Sequence, residues 1–147
     1  MKAERVVLSC SAYNGVVPWL HDDLGIAVER SDAAGARALL STDGPIGILV
    51  SYPPTLPLVV DYVSEVLASA EQQREIRTAL TEDAPPFATD PGVYRAALQA
   101  ALTPLRDCGV LFLAQYTMHA HVDVLRAAWG SRPLISAAEA TVAGLFD

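Results

Sequence analysis

Short runs rich in valine, isoleucine and leucine recur along this chain, and a longer stretch of mixed polarity follows each of them. The runs are residues 5–9 (RVVLS), 26–29 (IAVE), 46–51 (IGILVS), 75–80 (EIRTAL), 110–114 (VLFLA) and 132–135 (RPLI). Runs of this length suit strands better than helices. Parallel strands cannot be joined by a tight turn and need a crossover, usually a helix. Regular alternation of the two therefore predicts an α/β fold built on a parallel sheet.

The intervening stretches carry helix signals. Ser31 is a candidate N-cap for a helix over residues 33–40, which Thr42-Asp43-Gly44-Pro45 ends. Thr55 opens a helix in which Leu56, Val59, Val63, Val66 and Ala70 recur at helical spacing. After a loop over 81–89, Asp90-Pro91 supplies an N-cap with proline in the first turn, predicting a helix from there to Arg106. A further helix is predicted over 118–129, and Ser136 with Glu139 forms a capping box that opens the last one. Residues 14–20 predict a short helix that Gly15 and Pro18 weaken. Taken in order, residues 44–147 predict a doubly wound parallel sheet of four strands, a flavodoxin-like half. Residues 1–43 predict a partial second α/β unit carrying Cys10, with the linker at 42–45.

Composition narrows the classes of function. Hydrophobic residues make up 52% and charged residues 18%, against about 45–50% and about 25% in ordinary domains. That excess suits strands buried on both faces, or a face buried against another subunit, and predicts a homo-oligomer. A net charge of −7 argues against a nucleic-acid partner, which needs a basic face. The apolar run at 109–114 is far shorter than the roughly 20 residues of a membrane span, so no membrane partner is expected. Only Val6-Val7-Leu8 follows the charged start, too short for the core of a secretion signal. Cys10 and Cys108 have neither CxxC spacing nor a companion histidine pattern, and read as free thiols of a cytoplasmic protein, with no disulfide and no metal site.

In doubly wound sheets, ligands bind beyond the carboxyl ends of the strands, where helix N-termini also point. Three polar clusters follow strands here: Cys10-Ser11, Ser51 to Thr55, and Gln115-Tyr116-Thr117. Together they offer backbone N–H groups, hydroxyls and one thiol to an anionic ligand such as a carboxylate. Taken singly, Ser51, Thr55 and Thr117 are better explained as ordinary helix caps, and it is their coincidence at three strand ends that points to a site.

Leu8-Ser9-Cys10-Ser11, the block from Gly47 to Leu56 (GILVSYPPTL), and Leu113 to Met118 (LAQYTM) resemble the aspartate/glutamate/hydantoin racemase superfamily, as does the tail Pro133-Leu134-Ile135-Ser136. The likeness runs through nearly the whole chain in the same order. It implies two pseudo-symmetric α/β halves with a site in the cleft between them, and chemistry without metal, flavin or pyridoxal phosphate. It also implies two cysteines on opposite sides of an acidic α-carbon, one removing a proton and the other supplying one. Cys10 stands in the first position, whereas Gln115 stands where the second cysteine is expected. Ser11 and the segment Ser51 to Thr55, with Tyr52 in it, match positions that hold the substrate's carboxylate, and Gln115 and Thr117 are expected to join them in binding the substrate. Glutamine hydrogen-bonds but is no useful acid at neutral pH, which argues against two-base racemisation. Cys108 precedes its strand and cannot take the second role. Family members usually carry further strand–helix units ahead of the cysteine strand, so either an abbreviated first half or a sequence that begins late is expected.

Two functions follow. One is a cofactor-independent enzyme acting at the α-carbon of a small carboxylic or amino acid, by racemisation, decarboxylation or isomerisation, with Cys10 moving the proton. The other is a non-catalytic, truncated relative serving as a carboxylate-binding or oligomeric scaffold protein. Other residues carry less. His119 and His121 are two apart and do not form a chelating pair on a helix, with His119 a candidate at the cleft's border and His121 on the surface. His21 with Asp22-Asp23 suits a solvated turn, and Trp19 and Trp129 suit packing or an interface.

Overall fold

The computed structural model describes residues 3–81 and 90–145. The chain runs β1 (Arg5–Val7), α1 (Val17–Leu24), β2 (Ala27–Glu29), α2 (Ala33–Ala38), β3 (Ile46–Val50), α3 (Leu56–Ser69) and β4 (Ile76–Leu80). It continues through α4 (Pro91–Ala100), β5 (Val110–Leu113), α5 (Val122–Trp129), β6 (Leu134–Ser136) and α6 (Ala137–Ala143). Four strands form one parallel sheet in the order β4-β3-β5-β6, and β1 pairs with β2 in a separate parallel sheet. The predicted α/β architecture, a four-stranded doubly wound half with a smaller second sheet, is what the chain forms. The expected loop over 81–89 lies outside the described residues except for Thr81.

The apolar runs are unbroken because both faces of the large sheet are covered. From β3, Ile46, Ile48 and Val50 pack with Leu39, Val59, Val63, Leu67 and Ala137 on the side of α2, α3 and α6. Leu49 points the other way, toward Tyr94, Leu98, Met118, Leu125 and Trp129 of the α4 and α5 side. Strand β5 divides alike, with Val110 and Phe112 on the first face and Leu111 and Leu113 on the second. Helix α2, although it precedes residue 44, belongs to this core. Gly35 makes its approach possible, since a Cβ there would stand 2.5 Å from Phe112 Cε2 and 3.2 Å from the Ala137 Cα.

Several helix starts differ from expectation for visible reasons. Ser31 is not a cap: its N–H and its hydroxyl both donate to Asn14 Oδ1, at 3.0 and 3.2 Å. Asp32 precedes α2 instead, with no capping bond, because Arg30 holds its carboxylate at 2.8 and 2.9 Å. The segment predicted as one weak helix is a 3-10 turn, Ser11–Val16, leading into α1, where Pro18 sits in the first turn and blocks no hydrogen bond. The helix expected to reach Arg106 stops at Ala100, followed by a 3-10 turn, Thr103–Leu105, with Pro104 near its start. The one expected from Met118 becomes regular only at Val122, after a 3-10 turn at Tyr116–His121. Ser136 does cap α6, accepting from the Glu139 N–H at 3.5 Å, but Glu139 turns its carboxylate to Arg126 at 2.9 Å, so half of the capping box forms. No helix among the described residues is long and apolar enough to cross a membrane.

Candidate functional site

Strand β3 has β4 on one side and β5 on the other, so the chain reverses its winding direction between β3 and β5. The crevice at the carboxyl ends of such a strand pair is the favoured ligand position of an open α/β sheet. Ser51 leaves β3 there, and Gln115 leaves β5. Gln115 bridges the crevice. Its Oε1 accepts from the Ser51 N–H at 2.6 Å and from the Ser51 hydroxyl at 2.9 Å. The backbone N–H can only donate, which fixes which end of the amide faces it. Nε2 then donates to Thr55 Oγ1 at 3.4 Å and Ser11 Oγ at 3.5 Å. The side chain's donors and acceptor are thereby all engaged, and Gln115 is only 7% exposed.

Tyr94 completes this network, its hydroxyl donating to Ser51 Oγ at 2.9 Å. Sequence reasoning missed it. The signal was present in Asp90-Pro91, since a helix opened there puts Tyr94 and Leu98 on one inward face, and both are buried. Asp90 caps α4 as expected, accepting from the Gly92 N–H at 2.7 Å.

Above Gln115 lies a cavity of about 420 Å³. Ser9, Cys10, Ser11, Ala12 and Tyr13 line it from the β1 side, and Tyr52, Gln115, Tyr116 and Thr117 from the side of the large sheet. The structure thus brings the three polar clusters together across two separate sheets. Of the residues singled out, Cys10, Ser11, Tyr52, Gln115 and Thr117 line the cavity, while Ser51 and Thr55 are buried against Gln115.

Free backbone donors are unevenly placed. Around Ser51, the N–H of residue 51 is taken by Gln115, Pro53 and Pro54 have none, and that of Thr55 bonds the Tyr52 carbonyl at 3.0 Å, so that only the Tyr52 N–H lacks an acceptor among the described residues. The first turns after Cys10 and Gln115 are different. Tyr13 and Met118 close those turns with bonds of 3.1 Å back to the carbonyls of Cys10 and Gln115. The N–H groups of Ser11, Ala12, Tyr116 and Thr117 have no acceptor among the described residues, as the opening donors of a helical run lack internal partners.

Cys10 is exposed and its side chain makes no capping bond. Cys108 is buried beside Gly47, immediately before β5 and therefore at the opposite end of the strand from Gln115. Burial pushes its thiol pKa up. Tyr116 gives its hydroxyl to Thr141 Oγ1 at 2.8 Å; burial raises its pKa, and the bond to Thr141 opposes that rise.

The histidines exchange their expected places. His119 is exposed and does not line the cavity, whereas His121 is half-buried with its ring edge-on to Tyr94 at 5.4 Å. Both lie in the 3-10 turn at Tyr116–His121. His21, Asp22 and Asp23 are exposed on α1. Trp129 is a packing residue, its indole donating to the Pro133 carbonyl at 3.0 Å and stacking against Arg132, while Trp19 is 72% exposed. Among the described residues no group of three or more His, Cys, Asp or Glu side chains is arranged to hold a metal ion.

No family model matches this sequence, and no curated protein matches it either. Solved structures do. A glutamate racemase from Bacillus anthracis superposes with a TM-score of 0.77 at 21% identity, covering 97% of this chain and 56% of its own. An allantoin racemase from Pseudomonas fluorescens gives 0.73 at 19% identity, covering 99% of this chain and 63% of its own. A double mutant of arylmalonate decarboxylase in its liganded form gives 0.55 at 17% identity. This chain spans roughly three-fifths of the length of the solved chains it matches. Its fold is that of these glutamate and allantoin racemases.

Proposed function

We propose that this chain is a cofactor-independent enzyme of racemase or decarboxylase type, which binds a small carboxylic acid in the cavity above Gln115 and handles a proton at its α-carbon through Cys10. The observation that carries this proposal is the meeting, around one cavity at the switch point of the sheet, of an exposed thiol with residues whose backbone N–H groups have no acceptor among the described residues. Hydrogen-bond donors aimed at a carboxylate stabilise the negative charge it gains when the α-carbon loses a proton or carbon dioxide. In the exchange reaction, the Cys10 thiolate takes the α-proton, and the electron pair of the broken C–H bond moves into the carboxylate as an enediolate. The thiol exchanges its proton with solvent and returns one to the same face. In decarboxylation, the C–C bond breaks, carbon dioxide leaves, and the Cys10 thiol protonates the resulting carbanion; solvent then restores the thiol. With Gln115 in the second position, protonation from the opposite face has no comparable donor.

The full bonding of Gln115 also favours a second function, a carboxylate-binding protein without turnover. Incubation of amino, aryl-malonic and unsaturated dicarboxylic acids in D₂O, followed by NMR and chiral chromatography, separates the two. The enzyme gives deuterium incorporation with retained configuration, or one enantiomer of a decarboxylated product. Rapid racemisation would overturn the single-thiol assignment, and no exchange with any acid would favour the binding protein.

A further inference from the structure

We infer that the outer edge of β4 is where two copies of this chain meet, joined antiparallel about a two-fold axis at Ile76, so that their four-stranded sheets continue as one. Strand β4 has β3 on one side and, among the described residues, no strand on the other. The Ile46 N–H donates to the Glu75 carbonyl at 2.8 Å, and the Thr81 N–H to the Val50 carbonyl at 3.1 Å. Bonding residues alternate along a parallel strand, so residues 75, 77, 79 and 81 address β3. Ile76, Thr78 and Leu80 therefore turn their N–H and C=O groups outward, where they have no backbone partner among the described residues.

An open edge of this kind is a template for another strand unless something blunts it. Nothing within β4 does. Its pairing with β3 is unbroken from Ile76 to Leu80, it contains no proline, and its one cation, Arg77, is bonded to Glu75 at 2.8 Å. The strand at the other end of the sheet, β6, is only three residues long and follows Pro133. Beside the open edge, between β4 and α4, lies a hollow of about 460 Å³ walled on the helix side by Ala97, Ala100, Ala101 and Pro104.

Charge identifies the occupant as a second copy. Glu75 and Arg77 are two residues apart and share the face of the sheet that carries Ala79. With the axis at Ile76, Glu75 of each copy lies opposite Arg77 of the other, and the four charges alternate in sign. Opposite charges directly across a strand pair stabilise it, and like charges there destabilise it. An axis at Arg77 would set that cation against itself, and one at Thr78 would set it against Ala79 with no ion pair. On the other face the half-buried Ile76 meets Ile76 of the second copy. The exposed Gln73 of the second copy falls opposite Ala79, beside the hollow. Strand β4 is thus complementary to itself in one register.

Sedimentation velocity on the whole chain is the test, with a wild-type dimer expected to dissociate in the micromolar range or below. Glu75→Arg and Arg77→Glu, both outside the core, each set like charges opposite one another twice. Either alone is expected to weaken the dimer at least about tenfold. Mixed in equal amounts, the two variants recover both ion pairs across the contact, although each chain still carries like charges on its own strand. The mixed dimer should therefore form about as tightly as the wild type. Thr78→Pro removes an outward N–H and should give a monomer with the circular dichroism of the wild type. A wild-type monomer at about 100 µM would overturn the inference. So would a dimer indifferent to Glu75→Arg or to Thr78→Pro, or a mixture no tighter than either variant alone. These readings do not depend on whether Cys10 is catalytic.

Discussion

The two sheets of this molecule are built to different standards. In the four-stranded sheet, every residue of β3 and β5 is buried, and helices cover both faces. In the two-stranded sheet, Val28 is the single strand residue that is fully buried, and α1 buries none of its residues. Yet the exposed thiol comes from the lean unit, while the network that supports the cavity comes from the dense one. Local stability follows buried apolar contact, so the thiol rides on the part of the fold that opens most readily, above a base that does not. A few polar ties hold the units together: Gln115 to Ser11, Arg30 to the Leu58 carbonyl, Arg30 over the Tyr62 ring at 4.1 Å, and Arg5 to the Gly144 carbonyl.

The largest effect should come from the dense sheet. Phe112→Ala removes a fully buried ring that fixes α2 through Gly35, and is expected to cost about 3–5 kcal/mol in denaturant unfolding. Val6→Ala, at a half-buried site in β1, should cost no more than about 1 kcal/mol. Similar costs at the two positions would break the contrast between the sheets.

Next in size is the tie at Arg30. Asp32 has no exposed side-chain surface and Arg30 has 15%, so Arg30→Ala leaves a buried carboxylate without its partner. A loss of about 3 kcal/mol is expected. Amide hydrogen exchange should rise first in β1, β2 and α1, with β3 and β5 still protected. Uniform exchange across both sheets would show that they open as one.

Gln115→Ala should cost less, about 1–3 kcal/mol, by leaving the buried Ser51 N–H and hydroxyl without their acceptor. Thermal unfolding measures that. A neutral result would mean that water replaces the amide and that the cavity does not depend on it.

A smaller effect is set by pH. Burial raises the pKa values of Cys108, Tyr62 and Tyr116 in the folded chain. The unfolded chain therefore releases these protons first, and stability should fall as pH rises past the free values, from about 8.5 for the thiol and about 10 for the phenols. Below pH 8 these groups contribute no slope. Alkylation followed by mass spectrometry should find Cys108 slow at neutral pH; rapid labelling there would contradict its burial.

How much of this was legible in the sequence depended on how local its causes were. Strands β3 and β5 were readable because two-sided burial leaves continuous apolar runs, and α4 because Asp90-Pro91 caps it within two residues. The 3-10 turns after Cys10 and Gln115, and a third at Pro53–Thr55, were not readable, since nothing in their composition separates them from ordinary helix starts. The role of Gln115 was the least legible. Its partners lie 60, 64 and 104 residues away, so no spacing rule could show that Ser51, Thr55 and Gln115 satisfy one another in place of a ligand.

The central claim is that a ligand acid sits against Cys10 in the cavity between the two sheets. The direct measurement is the alkylation rate of each cysteine, resolved by mass spectrometry, with and without a saturating carboxylic acid from those incubated in D₂O. Cys10 should react faster than Cys108 in the free protein, and the acid should slow Cys10 alone, with the protection reduced in Tyr52→Ala. A rate at Cys10 that does not change when the acid binds would contradict the account.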